Sequence, residues 1–218
     1  MSKVANIRSV VVVGSGNVAE SVALAVADSF ALELKQVVAR NAVRAEAVAQ
    51  LAGCEWCSDL GEGDRGVLYP FQTFTAGRRV DFSAVPLFVE GSDEDTTQAI
   101  ESVANALSQR VYRANSKRRR EIHLTGVFAC NFVNALYSMA TDLLDEREGL
   151  PFDVLRPLIE ETAAKAVEAA HPRNVQTGPA VRGDKAVAER HISMLAEENQ
   201  QEIYKLLTDY IWQTSRKI

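Results

Sequence analysis

The segment Ile7 to Val13 closes on consecutive valines, stops at Gly14-Ser15-Gly16-Asn17-Val18-Ala19, and is followed by alanines, valines and leucines at helical spacing out to Leu34. A short β-branched run of this kind is a strand buried on both faces. A strand that turns at glycine directly into a helix commits the chain to a βα unit, the building block of a parallel sheet. The turn has the G-x-G-x-x-A pattern. Gly14 permits the tight turn, Gly16 lets backbone approach a diphosphate without a Cβ in the way, and Ala19 keeps the helix close to the strand. Unsatisfied N–H groups and the helix dipole then face an anion. Gly14, Ser15, Gly16, Asn17 and Val18 are thus the candidate cradle of a dinucleotide, the alternative being a sharp turn that holds nothing.

A second strand is expected over Leu34 to Ala39, with a helix from Ala42 to Leu51 that ends near Gly53. Where that strand ends, a site for NAD usually offers a carboxylate to the ribose 2′-hydroxyl. This chain reads Val38-Ala39-Arg40-Asn41 instead. A guanidinium at Arg40 suits a 2′-phosphate and Asn41 can donate to it, so the expected cofactor is NADP (NADPH). A solvated Arg40 is the plain alternative.

Further strands are expected at Glu55 to Ser58, Val67 to Tyr69, Pro86 to Glu90 and Val111 to Arg113, with a helix over Asp93 to Ser108. Beyond Ser116 the strand signal ends. Helical patterns fill Lys117 to Arg147, Phe152 to Ala170 and Asp184 to Trp212, with breaks at Pro151 and Pro172. The expected architecture is an α/β Rossmann-type parallel-sheet domain over residues 1–115 followed by an all-α domain over 116–218 that closes the cleft and forms a homodimer through its long helices.

Composition excludes other classes. The 218 residues carry 24 basic and 29 acidic side chains, so the net charge is 24 − 29 = −5, the wrong sign for a general nucleic-acid binder. With 47% apolar and 24% charged residues the chain is expected to be an ordinary soluble protein. Glu20, Asp28 and Glu33 interrupt the most apolar opening region, so no membrane span is expected, and the three cysteines fit a reducing cytoplasm. The lone Cys54-Glu55-Trp56-Cys57 lacks further ligands for structural zinc, His171 and His191 form no metal motif, and Lys117-Arg118-Arg119-Arg120 reads as a solvated face. No metal is expected.

Three further motifs stand out: Gly66-Val67-Leu68-Tyr69-Pro70-Phe71-Gln72-Thr73-Phe74, then His123 to Asn134, then Gln176-Thr177-Gly178-Pro179-Ala180-Val181-Arg182-Gly183-Asp184. Together with the glycine turn they make nearly the whole chain similar to a bacterial family of Rossmann-like proteins with a C-terminal domain of unknown function. That family resembles 6-phosphogluconate dehydrogenase, ketopantoate reductase and pyrroline-5-carboxylate reductase. The resemblance implies an NADP oxidoreductase with a C-terminal domain like that of 6-phosphogluconate dehydrogenase, and it names no substrate. The chain departs from the family between Leu60 and Gly66. There the relatives carry further strands and a helix, roughly 40 residues that the expected architecture would need to complete its sheet.

Hydride transfer needs a proton donor beside the substrate heteroatom. His123 is the candidate donor. On a uniform helix at about 100° per residue, Asn134 lies about 20° and Asn131 about 80° from it, so all three can share one broad face. The two amides are candidate orienting groups, since polar groups on an otherwise apolar helix need partners. A polar network that staples helices or a dimer interface is the competing reading. Gln72, following a strand end, is a candidate contact to nicotinamide or substrate. Gln176 and Arg182 belong to a loop placed like the substrate loop of pyrroline-5-carboxylate reductase, where Arg182 can clamp a carboxylate. The sequence thus points to hydride transfer between NADPH and a small carbonyl or imine compound. A dinucleotide-binding sensor without turnover, or an interaction protein with an empty turn, stays open beside it.

Overall fold

A computed structural model describes residues 9–59 and 66–216. The chain divides into two compact units, Met1–Leu136 and Tyr137–Ile218.

In the first unit β1 (Ser9–Val13), β2 (Glu33–Val38) and β3 (Glu55–Cys57) pair in parallel in that order, with α1 (Asn17–Ala27) and α2 (Ala42–Ala52) as the crossovers. The helix expected to run to Leu34 stops at Ala27, because Asp28 closes its last turn and the chain must become extended by Glu33 to pair with Ser9. α2 ends as its sequence predicts: Gly53 takes the left-handed conformation (φ +69°) and its N–H donates to Ala49.

The second sheet holds β4 (Gly66–Pro70), β5 (Leu87–Gly91) and β6 (Val111–Arg113), with α3 (Glu94–Leu107) joining the last two. β5 and β6 are parallel, whereas β4 and β5 are antiparallel, an inversion in an otherwise parallel architecture. Asp93 caps α3 by accepting from the Thr96 N–H at 2.8 Å. Arg113 ties β6 to α3 through Glu94 and Glu101; hydrogen bonds from Gln98 and then Arg113 pull the Glu94 carboxyl below its ordinary range, and the hydrogen bond from Arg113 does the same to Glu101.

Among the described residues the two sheets share no strand pairing; a shared core joins them. Val12, Val22, Val26 and Val37 belong to the same buried cluster as Phe82, Leu87, Val89 and Ala104. β1 and β4 are outer strands of their sheets, and the full length of β1 together with Gly66–Leu68 lines one cavity of about 1420 Å³. The β1 side chains Val11 and Val13 are 51% and 58% exposed. The expectation of an absent segment between Leu60 and Gly66 falls largely on residues outside those described.

α4 (Ser116–Gly126) stays with the first unit, past the expected border at 115/116. Its anchors explain this. Arg119, expected to be solvated, is only 14% exposed, pairs with Glu90 of β5 and donates to the Ala114 carbonyl at 2.6 Å. Gly126 approaches Phe71 so closely that a Cβ would stand 2.9 Å from the ring.

α4 continues through a π turn (Val127–Phe132) into α5 (Val133–Glu148). The other helices are α6 (Arg156–Glu168), the short α7 (Pro179–Arg182), α8 (Lys185–Met194) and α9 (Glu198–Ser215). The expected single helix from Asp184 to Trp212 is therefore two. Leu195 turns extended (φ −84°, ψ 126°), and the Gln201 side chain accommodates the break by donating to its carbonyl at 2.8 Å.

Leu87 is fully buried where the two sheets share their core. Leu87→Ala is expected to cost about 2–5 kcal/mol by lost burial and the cavity left behind, read as a lower urea midpoint for the unfolding of the first unit.

Candidate functional site

The glycine turn has the geometry its pattern requires. Gly14 stands at φ +133°, a conformation L side chains rarely adopt, and a Cβ there would meet the Ala19 Cβ at 3.1 Å. Its N–H donates to the Val38 carbonyl at 2.8 Å, which ties the turn to the end of β2. Gly16 differs. It is the N-cap of α1 in an ordinary extended conformation, no side chain caps the helix, and a Cβ there would meet nothing within 4 Å. Glycine at 14 serves the fold, while glycine at 16 leaves open space in front of the first N–H groups of the helix.

Two cavities meet at this turn. One of about 800 Å³ is lined by Gly14 and Ser15 on one side and by Ala39, Arg40, Asn41 and Ser58 on the other. The ends of β1 and β2 thus bring Arg40 and Asn41 to the glycine turn. Arg40 is exposed. Asn41 uses its Oδ1 to cap α2, accepting from the Arg44 N–H at 3.1 Å, so its NH₂ is the group that can donate to a ligand. Ser58, which sequence reasoning missed, follows β3 and reaches this cavity as the third strand end in the row.

The larger cavity includes Gly16, Asn17 and Val18 together with Gln72 and Phe74 of the loop after β4. That loop is held against α1: Gly77 N–H donates to Glu20, and Arg79 pairs with Asp28. Gln72 turns its own Oε1 back onto the Thr73 N–H at 2.8 Å. Its amide nitrogen is left as the end that can meet a ligand.

His123 lies in the last turn of α4, exposed, with its Nδ1 3.1 Å from the hydroxyl of Tyr69. Tyr69 is half-buried near the C-terminal end of β4, and burial raises its phenol above the ordinary range. Sequence reasoning passed over Tyr69. The available signal was its place three residues before Gln72, at a strand end where α/β sheets gather ligand contacts.

Asn131 sits in the π turn and Asn134 at the start of α5, both exposed. The helix between them and His123 is not uniform. A π turn closes i→i+5 and takes up one extra residue, which moves everything beyond it back by about 100°. The offset of Asn134 from His123 changes from about 20° to about 80° on the other side, while Asn131, late in the turn, moves from about 80° to within about 20° of His123, so the two amides exchange places within an arc of similar width.

Gln176 and Arg182 belong to the second unit. Gln176 closes a short turn over Pro172–Val175, and Arg182 is the exposed last residue of α7, before Gly183 at φ +67°. Trp212 of α9 packs so closely on Gly183 that a Cβ there would stand 2.8 Å from its ring. Cys54 and Cys57 are half-buried, and among the described residues no cluster of His, Cys, Asp and Glu could hold a metal.

The structure named "putative NADP oxidoreductase" from Bacteroides fragilis is 32% identical, with a TM-score of 0.81 over 95% of this chain and 99% of that one. A Thermotoga maritima protein is 18% identical, with a TM-score of 0.71 over 95% and 98% of the two chains. A pyrroline-5-carboxylate reductase from Coxiella burnetii is 14% identical, with a TM-score of 0.47 over 97% of each. No curated protein matches the chain. The family model described as a domain of unknown function, DUF2520, matches residues 85–211. The chain has an α/β Rossmann-type domain followed by an all-α domain, and it belongs to the DUF2520 family.

Proposed function

We propose that the protein is an NADP-dependent oxidoreductase that transfers hydride between NADPH and a small carbonyl or imine metabolite. The observation that carries this is the open cradle at Gly16: an uncapped helix N-terminus with nothing in front of it, beside a second strand that ends in Arg40 and Asn41 instead of a carboxylate. The residues fit a dinucleotide. Gly14, Ser15, Gly16, Asn17 and Val18 would hold the diphosphate, and Arg40 and Asn41 the 2′-phosphate. When bound, the reduced nicotinamide supplies hydride. The protein's own part is to orient the substrate and to deliver a proton, with His123 as donor and Gln72, Asn131 and Asn134 as orienting amides. The likeness in fold and the name carried by the Bacteroides structure support this reading. A sensor that binds the dinucleotide without turnover is the second reading, favoured by the exposure of His123 and both asparagines.

The exposed stripe on α4 and its continuation supports a homodimer. Leu124, Phe128, Phe132 and Leu136 are 57%, 62%, 49% and 36% exposed. At four-residue spacing a regular helix would carry the ends of this row about 120° apart, and the extra residue of the π turn brings them back to about 20°. A helix interrupted so as to keep an apolar row straight is built to pack along that row. By length and composition alone, Ser116–Glu148 is also long and apolar enough to cross a membrane. Polar side chains such as Thr125, Asn131 and Asn134 punctuate it, so it holds no unbroken apolar run of the length expected of a membrane span.

Gly16→Ser keeps a good N-cap and meets no protein atom, so its melting temperature is expected to match that of the parent while NADPH binding falls at least 10-fold by calorimetry. Arg40→Ala is expected to weaken NADPH by roughly 10-fold or more and NADH little; equal losses would refute the 2′-phosphate contact. Phe132→Glu is expected to turn a dimer into a monomer by light scattering. A monomeric parent would refute the dimer, and a parent that floats with lipid vesicles would point to a membrane surface instead.

A further inference from the structure

We infer that Tyr69 and His123 form a two-residue proton relay, in which Tyr69 positions the His123 imidazole and resupplies it with a proton. The inference rests on the oxidoreductase reading above. Its basis is the 3.1 Å contact between the Tyr69 hydroxyl and His123 Nδ1, made between a strand end and a helix separated by 54 positions in the chain.

Both partners are held. The Tyr69 ring lies 6.4 Å from Phe88, its neighbour across the β4–β5 pair, and Phe88 in turn packs against Phe71 and Tyr112 at 6.2 and 5.5 Å. Phe71 also receives Gly126, so the cluster that fixes the phenol seats the helix that carries the histidine. The backbone that presents Tyr69 continues directly to Gln72, which shares a cavity with Gly16 and Asn17 of the dinucleotide turn. This puts the pair at the same end of the unit as the proposed cofactor cradle.

A phenol kept protonated by burial donates its O–H to a neutral imidazole nitrogen. With Nδ1 occupied as acceptor, the imidazole proton resides on Nε2, on the far side of the ring, and the histidine that carries it is exposed. The step then balances. As the carbonyl or imine carbon gains hydride from the reduced nicotinamide, the substrate oxygen or nitrogen takes the Nε2 proton. Nδ1 takes the phenolic proton of Tyr69. The phenolate then takes the Nδ1 proton back as the exposed Nε2 takes one from water, which restores the phenol and the first tautomer and accounts for the single proton the substrate consumed. His123 is the residue that touches substrate, and Tyr69 is a positioning residue acting through it.

Tyr69→Phe removes one oxygen and keeps the ring in its cluster. In the ligand-free protein, side-chain ¹⁵N spectra are expected to show neutral His123 protonated at Nε2 with Nδ1 as a hydrogen-bonded acceptor. The Nδ1 resonance is then expected to move downfield in the variant as that bond is lost. A wild-type His123 protonated at Nδ1, or a resonance unmoved by the substitution, overturns the relay without any assay of activity. With NADPH and a panel of carbonyl and imine compounds, Tyr69→Phe is expected to lower kcat about 10²-fold at unchanged KM for NADPH, and His123→Ala at least as far. A lost Nδ1 bond with unaltered kcat also overturns the relay. If wild-type protein binds NADPH but turns over none of these compounds while the spectra behave as expected, the oxidoreductase reading fails and the relay loses its reaction.

Discussion

The first unit depends on one apolar contact surface that joins two sheets between which the described residues show no strand pairing. In a continuous sheet, backbone pairing fixes strand order and register, and packing is added to it. Here β1, β2 and β3 are paired among themselves, as are β4, β5 and β6, and only side chains such as Val12, Val37, Leu87 and Val89 connect the two groups. Burial is non-directional, so it holds the sheets at close distance without specifying how their edges align. Alignment comes from directional contacts at the periphery. Arg79 reaches Asp28, Gly77 reaches Glu20, and Phe74 stacks on Phe82 at 6.0 Å, and together they fix the loop after β4 against α1. The candidate site sits on that loop. Its position relative to the glycine turn is set by these contacts, and not by a ladder running through β1.

The glycine turn separates two demands that the bare pattern merges. At Gly14 the backbone conformation and the contact with Ala19 both require glycine, whether or not anything binds. At Gly16 neither does: the dihedral angles suit any residue and the surroundings are empty. A chain under selection for folding alone has reason to keep the first glycine and none to keep the second. Emptiness at a helix N-terminus that no side chain caps is what an anion-binding turn requires, since a capping side chain would occupy the place of the phosphate.

Much of this was legible in the sequence because it is local. The strand, turn and helix around Gly14, the Gly53 stop, the Asp93 and Asp184 caps, and the convergence of Arg40 and Asn41 on the glycines all follow from short-range rules. What was not legible is non-local or unmarked. The break at Leu195–Glu197 carries neither glycine nor proline, and α1 ends at Asp28 without either. Arg119 looks like part of a solvated basic run until Glu90, 29 positions earlier, is brought beneath it. Tyr69 and His123 are invisible as a pair because no spacing rule joins a strand residue to a helix residue so far along the chain.

The π turn shows how one local irregularity serves two requirements on the same helix. Gly126 lets α4 press onto Phe71, which fixes His123 over the end of β4. A regular helix continuing from that point would spiral Leu124, Phe128, Phe132 and Leu136 around its axis. One additional residue in the turn straightens the apolar row, rotates Asn134 away from the line of His123 and brings Asn131 close to it. The apolar side chains are thereby gathered into a narrower arc, while Asn131 replaces Asn134 as the amide nearest the line of His123. An α-helical insertion-free version of this segment would reverse both effects together, so the geometry of the candidate site and that of the exposed stripe are coupled through the Val127–Phe132 backbone. Such turns cost hydrogen-bond quality and recur at functional positions, and here Asn131 and Asn134 stand directly at and after the irregularity.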